Sequence, residues 1–202
     1  MIIAIFNFKG GVGKTTTAMA LATCAARDGL DAAVLDAAPQ SAAMLWAEEA
    51  EEDGQPLPFT VRAANGKSIA RMAWELKGKA DKWVFIDCPP SGSALDAAQR
   101  AADLIIVPTK AGHLDMAITH EAVRRLMRTC SPYAILFTQI KYDSNDHAYA
   151  RERAIGYGMN CYERAIAWRE GLQNAAGTAF EESLFSYERT WEEIKAGLIV
   201  KD

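Results

Sequence analysis

The sequence predicts an α/β fold in three layers, a mostly parallel twisted sheet with helices on both faces. Three observations carry that expectation. Six short apolar runs, at 2–6, 32–35, 58–61, 83–86, 104–107 and 133–137, show little polar alternation, as suits strands buried on both faces of a parallel sheet. Helical patterns at 14–27, 41–52, 67–79, 94–101, 116–130 and 147–157 fall between and after them, the alternation of right-handed β-α crossovers. The first strand-to-helix junction is a glycine-rich turn between Phe6 and Lys14.

Taken in order, the run at 2–6 leads through this turn into the helix at 14–27. The strand at 32–35 ends in the polar segment Asp36 to Ser41, and the helix after it closes in the acidic run 48–53, a solvated helix end rather than a tail. Residues 54–58 mark a turn without a domain boundary. The strand at 83–86 ends on Asp87, that at 104–107 on Pro108-Thr109, and that at 133–137 on Thr138-Gln139. Beyond residue 160 the pattern is less regular, with helices expected at 166–176 and 187–196 around a turn at Gly177. No internal repeat or low-complexity linker interrupts the chain, which is expected to form a single domain over 1–202.

Composition narrows the function classes. A chain of 202 residues, 50% hydrophobic and 24% charged, can bury a substantial core without metals or disulfides. The net charge of -4 argues against an obligate high-affinity nucleic-acid binder but allows a local basic face. Cys24, Cys88, Cys130 and Cys161 lie far apart without a C-x-x-C pair, so they suggest neither zinc nor an iron-sulfur cluster, but free thiols in a reducing cytosol. The apolar start runs straight into the glycine turn without the features of a signal peptide, and no stretch reaches the roughly 18 apolar residues of a membrane span.

The turn itself carries chemistry. Lys9-Gly10-Gly11-Val12-Gly13-Lys14-Thr15-Thr16 places backbone N–H groups and the positive end of a helix at one point, which can hold a polyphosphate. The glycines permit close approach, Lys14 reaches terminal phosphates and Thr15 offers a hydroxyl to Mg²⁺. The ordinary phosphate-loop pattern requires glycine at position 8, where this chain has Phe8. The match is therefore to the variant with a lysine, Lys9, ahead of the glycines.

Acidic groups are expected at the carboxyl edge of the same sheet, where ligands of open α/β sheets bind. Asp87 has the form of a strand-end aspartate that holds Mg²⁺. The segment 88–92 after it could sense a terminal phosphate. Asp36 fits a second such group and fits a helix-cap or turn residue equally well. Pro108, Thr109, Thr138 and Gln139 are placed to line a nucleoside pocket, though ordinary loop chemistry also explains polar strand ends.

With these motifs the chain strongly resembles the ParA-type partition ATPases, the variant Walker A group that includes the MinD-like cell-division proteins. The resemblance rests on Lys9 to Thr16, on Asp36 to Ser41 as a form of the family's first switch, on 85–90 and on 107–109. It implies a P-loop NTPase fold binding ATP and Mg²⁺, with Lys9, Lys14, Asp36 and Asp87 as catalytic residues. It also implies a nucleotide-sandwich homodimer in which Lys9 reaches the partner's phosphates, non-specific DNA binding by that dimer, and hydrolysis stimulated by a ParB-like or other adaptor. A cytoplasmic, nucleoid-associated protein of the small class without an N-terminal helix-turn-helix segment is the expectation. Membrane attachment is not, because the final helix carries more acid than base.

One position departs from the family. Its second switch carboxylate falls at Ala38, and a methyl group cannot orient or polarise water. Either the lineage lacks efficient turnover, or an engineered alanine replaces the family's aspartate; retention of every other motif favours the second. For DNA, the candidates are Arg124, Arg125, Arg128, Lys141, Arg151, Arg153, Arg164 and Arg169, with six basic residues against three acidic ones over 122–153.

Overall fold

The computed structural model describes residues 1–76, 79–141, 145–180 and 183–199. Strands β1 (Ile2–Ile5), β2 (Asp31–Asp36), β3 (Thr60–Ala63), β4 (Lys82–Asp87), β5 (Leu104–Thr109) and β6 (Tyr133–Phe137) form a parallel sheet in the order β3-β2-β4-β1-β5-β6. The helices are α1 (Lys14–Arg27), α2 (Ala42–Glu52), α3 (Gly66–Leu76), α4 (Ser93–Ala101), α5 (His113–Arg128), α6 (Asp146–Gly156), α7 (Glu170–Asn174) and α8 (Tyr187–Ile199). This is the three-layer α/β fold the sequence predicts. The end of the helix expected over 67–79 falls partly on residues outside the described ones.

Side chains of successive strand residues enter opposite cores, as a two-period chain requires. Ile3, Ile5 and Phe85 pack on one face of the sheet with α1 and α8, whereas Ile2, Ala4, Phe6, Val84 and Ile86 pack on the other among residues of α4, α5 and α6. Helix α1 is buried continuously from Thr17 to Ala25 because it lies between the sheet and α8. Small residues make that double contact possible. Trp191 of α8 packs edge-on against Trp83 with ring centroids 4.8 Å apart, and its Nε1 donates to Asp28 at 2.8 Å.

The helix expected over 116–130 begins three residues earlier, as α5, and two further elements shift. Strand β3 begins two residues later than the apolar run at 58–61: Pro58 has no N–H to give a ladder, Phe59 plugs the core, and pairing starts with Thr60 opposite Ala33. The helix expected over 166–176 shortens to Glu170–Asn174. Residues before it run extended along β6, with the Ile166 N–H donating to Phe137 O at 2.8 Å and the Trp168 N–H to Ile140 O at 2.8 Å. The apolar spacing read as helical instead serves an edge strand that needed covering.

Candidate nucleotide-binding site

The carboxyl ends of β1, β2 and β4 meet in register, with Ile5 opposite Asp87 and Asp87 opposite Asp36. Between them the chain leaves β1 and turns into α1. Gly11 and Gly13 have φ values of 67° and 84°, a left-handed conformation that favours glycine, and a Cβ added at Gly10, Gly11 or Gly13 would point into open space. No side chain caps the start of α1 and no acidic residue sits in its first turn. Its first N–H groups are therefore free for an anion.

Gly10, Gly11, Gly13, Lys14, Thr15, Thr16, Ala38, Gln40, Asp87 and Pro90 surround a cleft of about 520 Å³. A second hollow of about 230 Å³ adjoins it, sharing Gly13, Thr16 and Gln139 and walled by Trp168, Arg169, Leu172, Gln173 and Tyr187. The two form one groove, glycine-lined and charged at one end, aromatic and amide-bearing at the other. A polyphosphate with a planar base matches that division in chemistry.

Asp87 is 1% exposed, and its Oδ2 accepts the Thr15 hydroxyl at 2.6 Å while Oδ1 is buried without a partner. Burial pushes its carboxyl up to about 6; the Thr15 hydrogen bond and Lys14 oppose that rise, and Asp36 adds to it. An orphaned carboxylate oxygen beside a threonine hydroxyl fits a hard cation such as Mg²⁺. Lys14 Nζ donates to Lys9 O at 2.9 Å, and burial lowers its pKa despite Asp87 nearby. Lys9 Nζ pairs with Asp115 Oδ1 at 2.6 Å.

Asp36 is turned to backbone work. Its carboxylate accepts N–H groups of Ala38 at 3.1 Å, Ala43 at 2.9 Å and Met44 at 3.0 Å, so it shapes the turn and caps α2. Of the two roles the sequence left open, the hydrogen bonds carry the second. Ser41, ahead of α2, has φ 52°, one of the left-handed residues at this site, as is Gln139 at 55°.

Thr138 and Gln139 reach the site, but largely to hold the loop: the Thr138 hydroxyl donates to Val12 O at 2.8 Å and Gln139 Nε2 to Gly11 O at 3.0 Å. Pro108 and Thr109 correct the expectation. Thr109 is fully buried, its hydroxyl accepting from Thr119 Oγ1 at 2.7 Å, and Pro108 O accepts from Asn7 Nδ2 at 2.8 Å. They form a polar layer beneath the loop and do not line either hollow. Sequence reasoning missed Asn7, Thr119 and Asp115, which this layer and the Lys9 pair depend on; the polar Asn7 at the end of an apolar strand was the available signal. It also missed Trp168 and Gln173, hidden by the helix expected over 166–176.

The basic candidates divide. Arg169 belongs to the groove rather than to a separate surface. Arg125 is held by Asp96 at 2.5 Å and by Gln99, and Arg151 donates to Tyr162 O at 3.2 Å. Arg153 lies over the Tyr149 ring at 5.5 Å beside a hollow between α5 and α6. Arg124, Arg128, Lys141 and Arg164 are exposed. Among the described residues no helix is long and apolar enough to cross a membrane, no group of acidic, histidine and cysteine side chains forms a metal cluster, and the four cysteines are free.

Residues 3–179 match the model of the CobQ/CobB/MinD/ParA nucleotide binding domain. The chain is 30% identical to maintenance of carboxysome distribution protein A of Gloeobacter kilaueensis, over 96% of this chain and 93% of that protein. It is 24% identical to Protein ParA of Rhizobium radiobacter, over 76% of this chain and 71% of that one. Its fold is similar to that of Cyanothece McdA with an aspartate-to-alanine substitution in complex with ATP, at TM-score 0.72, 20% identity, and coverage of 100% of this chain and 97% of that one. The chain thus belongs to the CobQ/CobB/MinD/ParA nucleotide binding domain family, as an ATPase of the ParA/MinD type.

Proposed function

We propose that this protein is an ATP-gated dimerising switch that positions a cargo on DNA. The observation that carries the proposal is the phosphate loop facing a buried, half-partnered Asp87. Lys9 to Thr16 would cradle the phosphates, with Lys14 neutralising their charge. Thr15 and Asp87 would hold Mg²⁺, which when bound offsets the charge of the phosphate oxygens. The nucleoside would occupy the hollow between Gly13 and Trp168. Asp36 contributes by fixing the turn that carries Ala38, and Lys9 by reaching the phosphates of a second copy.

The joined pair would bind DNA without sequence preference through exposed cations such as Arg124, Arg128, Lys141 and Arg164, and a ParB-like or other adaptor would stimulate release. That chemistry implies a cytoplasmic, nucleoid-associated protein. Plasmid DNA is the cargo this reading puts first. The 30% likeness to a carboxysome distribution protein favours a second reading, in which the cargo is a protein assembly.

Hydrolysis is the weak half of the switch. Ala38 lines the phosphate cleft with a methyl group where a water-orienting carboxylate is needed. Size and phosphate release, compared in ATP and in ADP, test the proposal. Dimers in ATP with slow release are expected, and a chain that stays monomeric in both nucleotides overturns it.

A further inference from the structure

The segment that follows β6 along its outer side is longer than the strand it pairs with. Ile135 O accepts the Tyr162 N–H at 2.9 Å, and Phe137 O, two residues on, accepts the Ile166 N–H, four residues on, at 2.8 Å. The outer segment therefore bulges by two residues between Tyr162 and Ile166. Helix α8 caps the bulge. The N–H groups of Glu163 and Arg164 donate to Glu193 Oε2 at 2.8 Å and Oε1 at 3.0 Å. Trp191 and Ile194, on the same helix, are each 2% exposed, so the carboxylate is delivered from an element fixed in the core.

The bulge decides what reaches the groove. Beyond it the Trp168 N–H donates to Ile140 O at 2.8 Å, and the Trp168 side chain, half-exposed, walls the hollow beside the phosphate cleft. A regular parallel ladder would give Phe137 O to the Arg164 N–H instead, and would carry Trp168 past that wall by about 6–7 Å. Glu193 removes that alternative by taking the Arg164 N–H itself. Burial of Ile166 opposes the same slip, because Arg164 would have to enter its place in the core.

We propose that Glu193 is a positioning residue for nucleotide binding: by capping the bulge it holds Trp168 at the base end of the groove, and so acts on the nucleobase and not on the phosphates. The proposal rests on the reading above that the nucleoside occupies the hollow between Gly13 and Trp168. Because Ile166 shares the work of fixing the register, the contribution of Glu193 is that of an ordinary hydrogen bond, about three- to tenfold in affinity.

The test measures binding of Mg-ATP and of inorganic tripolyphosphate with Mg²⁺ to the full chain by calorimetry. The unsubstituted chain should prefer Mg-ATP by about tenfold or more, the scale of a base stacked on an aromatic side chain. Glu193→Ala should weaken Mg-ATP binding by about three- to tenfold and leave tripolyphosphate binding unchanged. Glu193→Gln, which keeps one acceptor oxygen, should fall between. In a Trp168→Ala chain, Glu193→Ala should bring no further loss, whereas a merely structural contact would weaken both ligands in both backgrounds. Unchanged Mg-ATP affinity in a folded Glu193→Ala chain, an equal loss for tripolyphosphate, or a full further loss in the Trp168→Ala chain overturns the role of Glu193 and leaves the nucleoside hollow standing. Equal affinity of the unsubstituted chain for the two ligands, with no effect of Trp168→Ala, sinks the hollow reading and the proposal with it.

Discussion

Asp87 ends β4 with one carboxylate oxygen on Thr15 and the other buried without a partner, which sets stability against ligand binding. Its pKa is raised to about 6 from an ordinary 3.8, so the folded chain takes up a proton that the unfolded chain has already lost. Stability therefore falls as pH rises through that interval, and the cost of the buried charge is fully present at pH 7, at roughly 2–3 kcal/mol. Asp87→Asn should stabilise the nucleotide-free chain at pH 7 by up to about that amount. Denaturation at about pH 7 and about pH 3 checks this, because the gain should fade below the ordinary carboxyl value of 3.8, where Asp87 is protonated in the folded and the unfolded chain. The same substitution should abolish Mg-dependent ATP binding, since a hard cation needs the ionised oxygen. Ala38 makes the opposite case under the proposed function: its effect should fall on chemistry alone. Ala38→Asp should raise phosphate release by on the order of 10²-fold, the usual scale for a positioned base, and no gain in release would show that Ala38 does not limit hydrolysis.

At the level of elements, α8 braces α1, the helix that follows the phosphate loop. It covers α1, joins it through the Thr17–Tyr187 hydrogen bond of 3.0 Å, and seats Trp191 against Trp83 and Phe85. Trp191→Ala should cost about 3–5 kcal/mol of unfolding free energy by chemical denaturation, the range for large aromatic truncations in a core. A loss below about 1 kcal/mol would show that α8 is not part of the cooperative core. Strand-forming runs were legible because burial on both faces leaves an unbroken apolar signature, as in Ile2–Ile5 and Leu104–Thr109. The phosphate loop was legible because its chemistry is local: glycines, lysines and threonine act within one turn. What was not legible depends on contacts between distant segments. Asn7 meets Thr119 only after β1 and β5 pair, Trp168 reaches the groove only because its segment runs along β6, and nothing in the spacing around Asp36 decides between cap and ligand.

Across the whole molecule, the net charge of -4 means that any DNA contact must come from a local face, assembled from the cations that are exposed and not committed to neighbours. Arg125 is held by Asp96 and Gln99, so its removal should lower stability more than DNA affinity. Arg128 and Lys141 are exposed and stand as better candidates. DNA retention in ATP should weaken steeply as salt rises, because phosphate contacts release condensed ions; binding insensitive to salt would exclude this surface.

In the proposed function ATP, and not ADP, joins two copies of the chain across the phosphate-loop face. Sedimentation velocity of the 22.0 kDa chain in Mg-ATP and in Mg-ADP measures that directly. A dimer in ATP, a monomer in ADP, and a monomer in both for Lys9→Ala are the expected results. The same association state in both nucleotides would contradict the account.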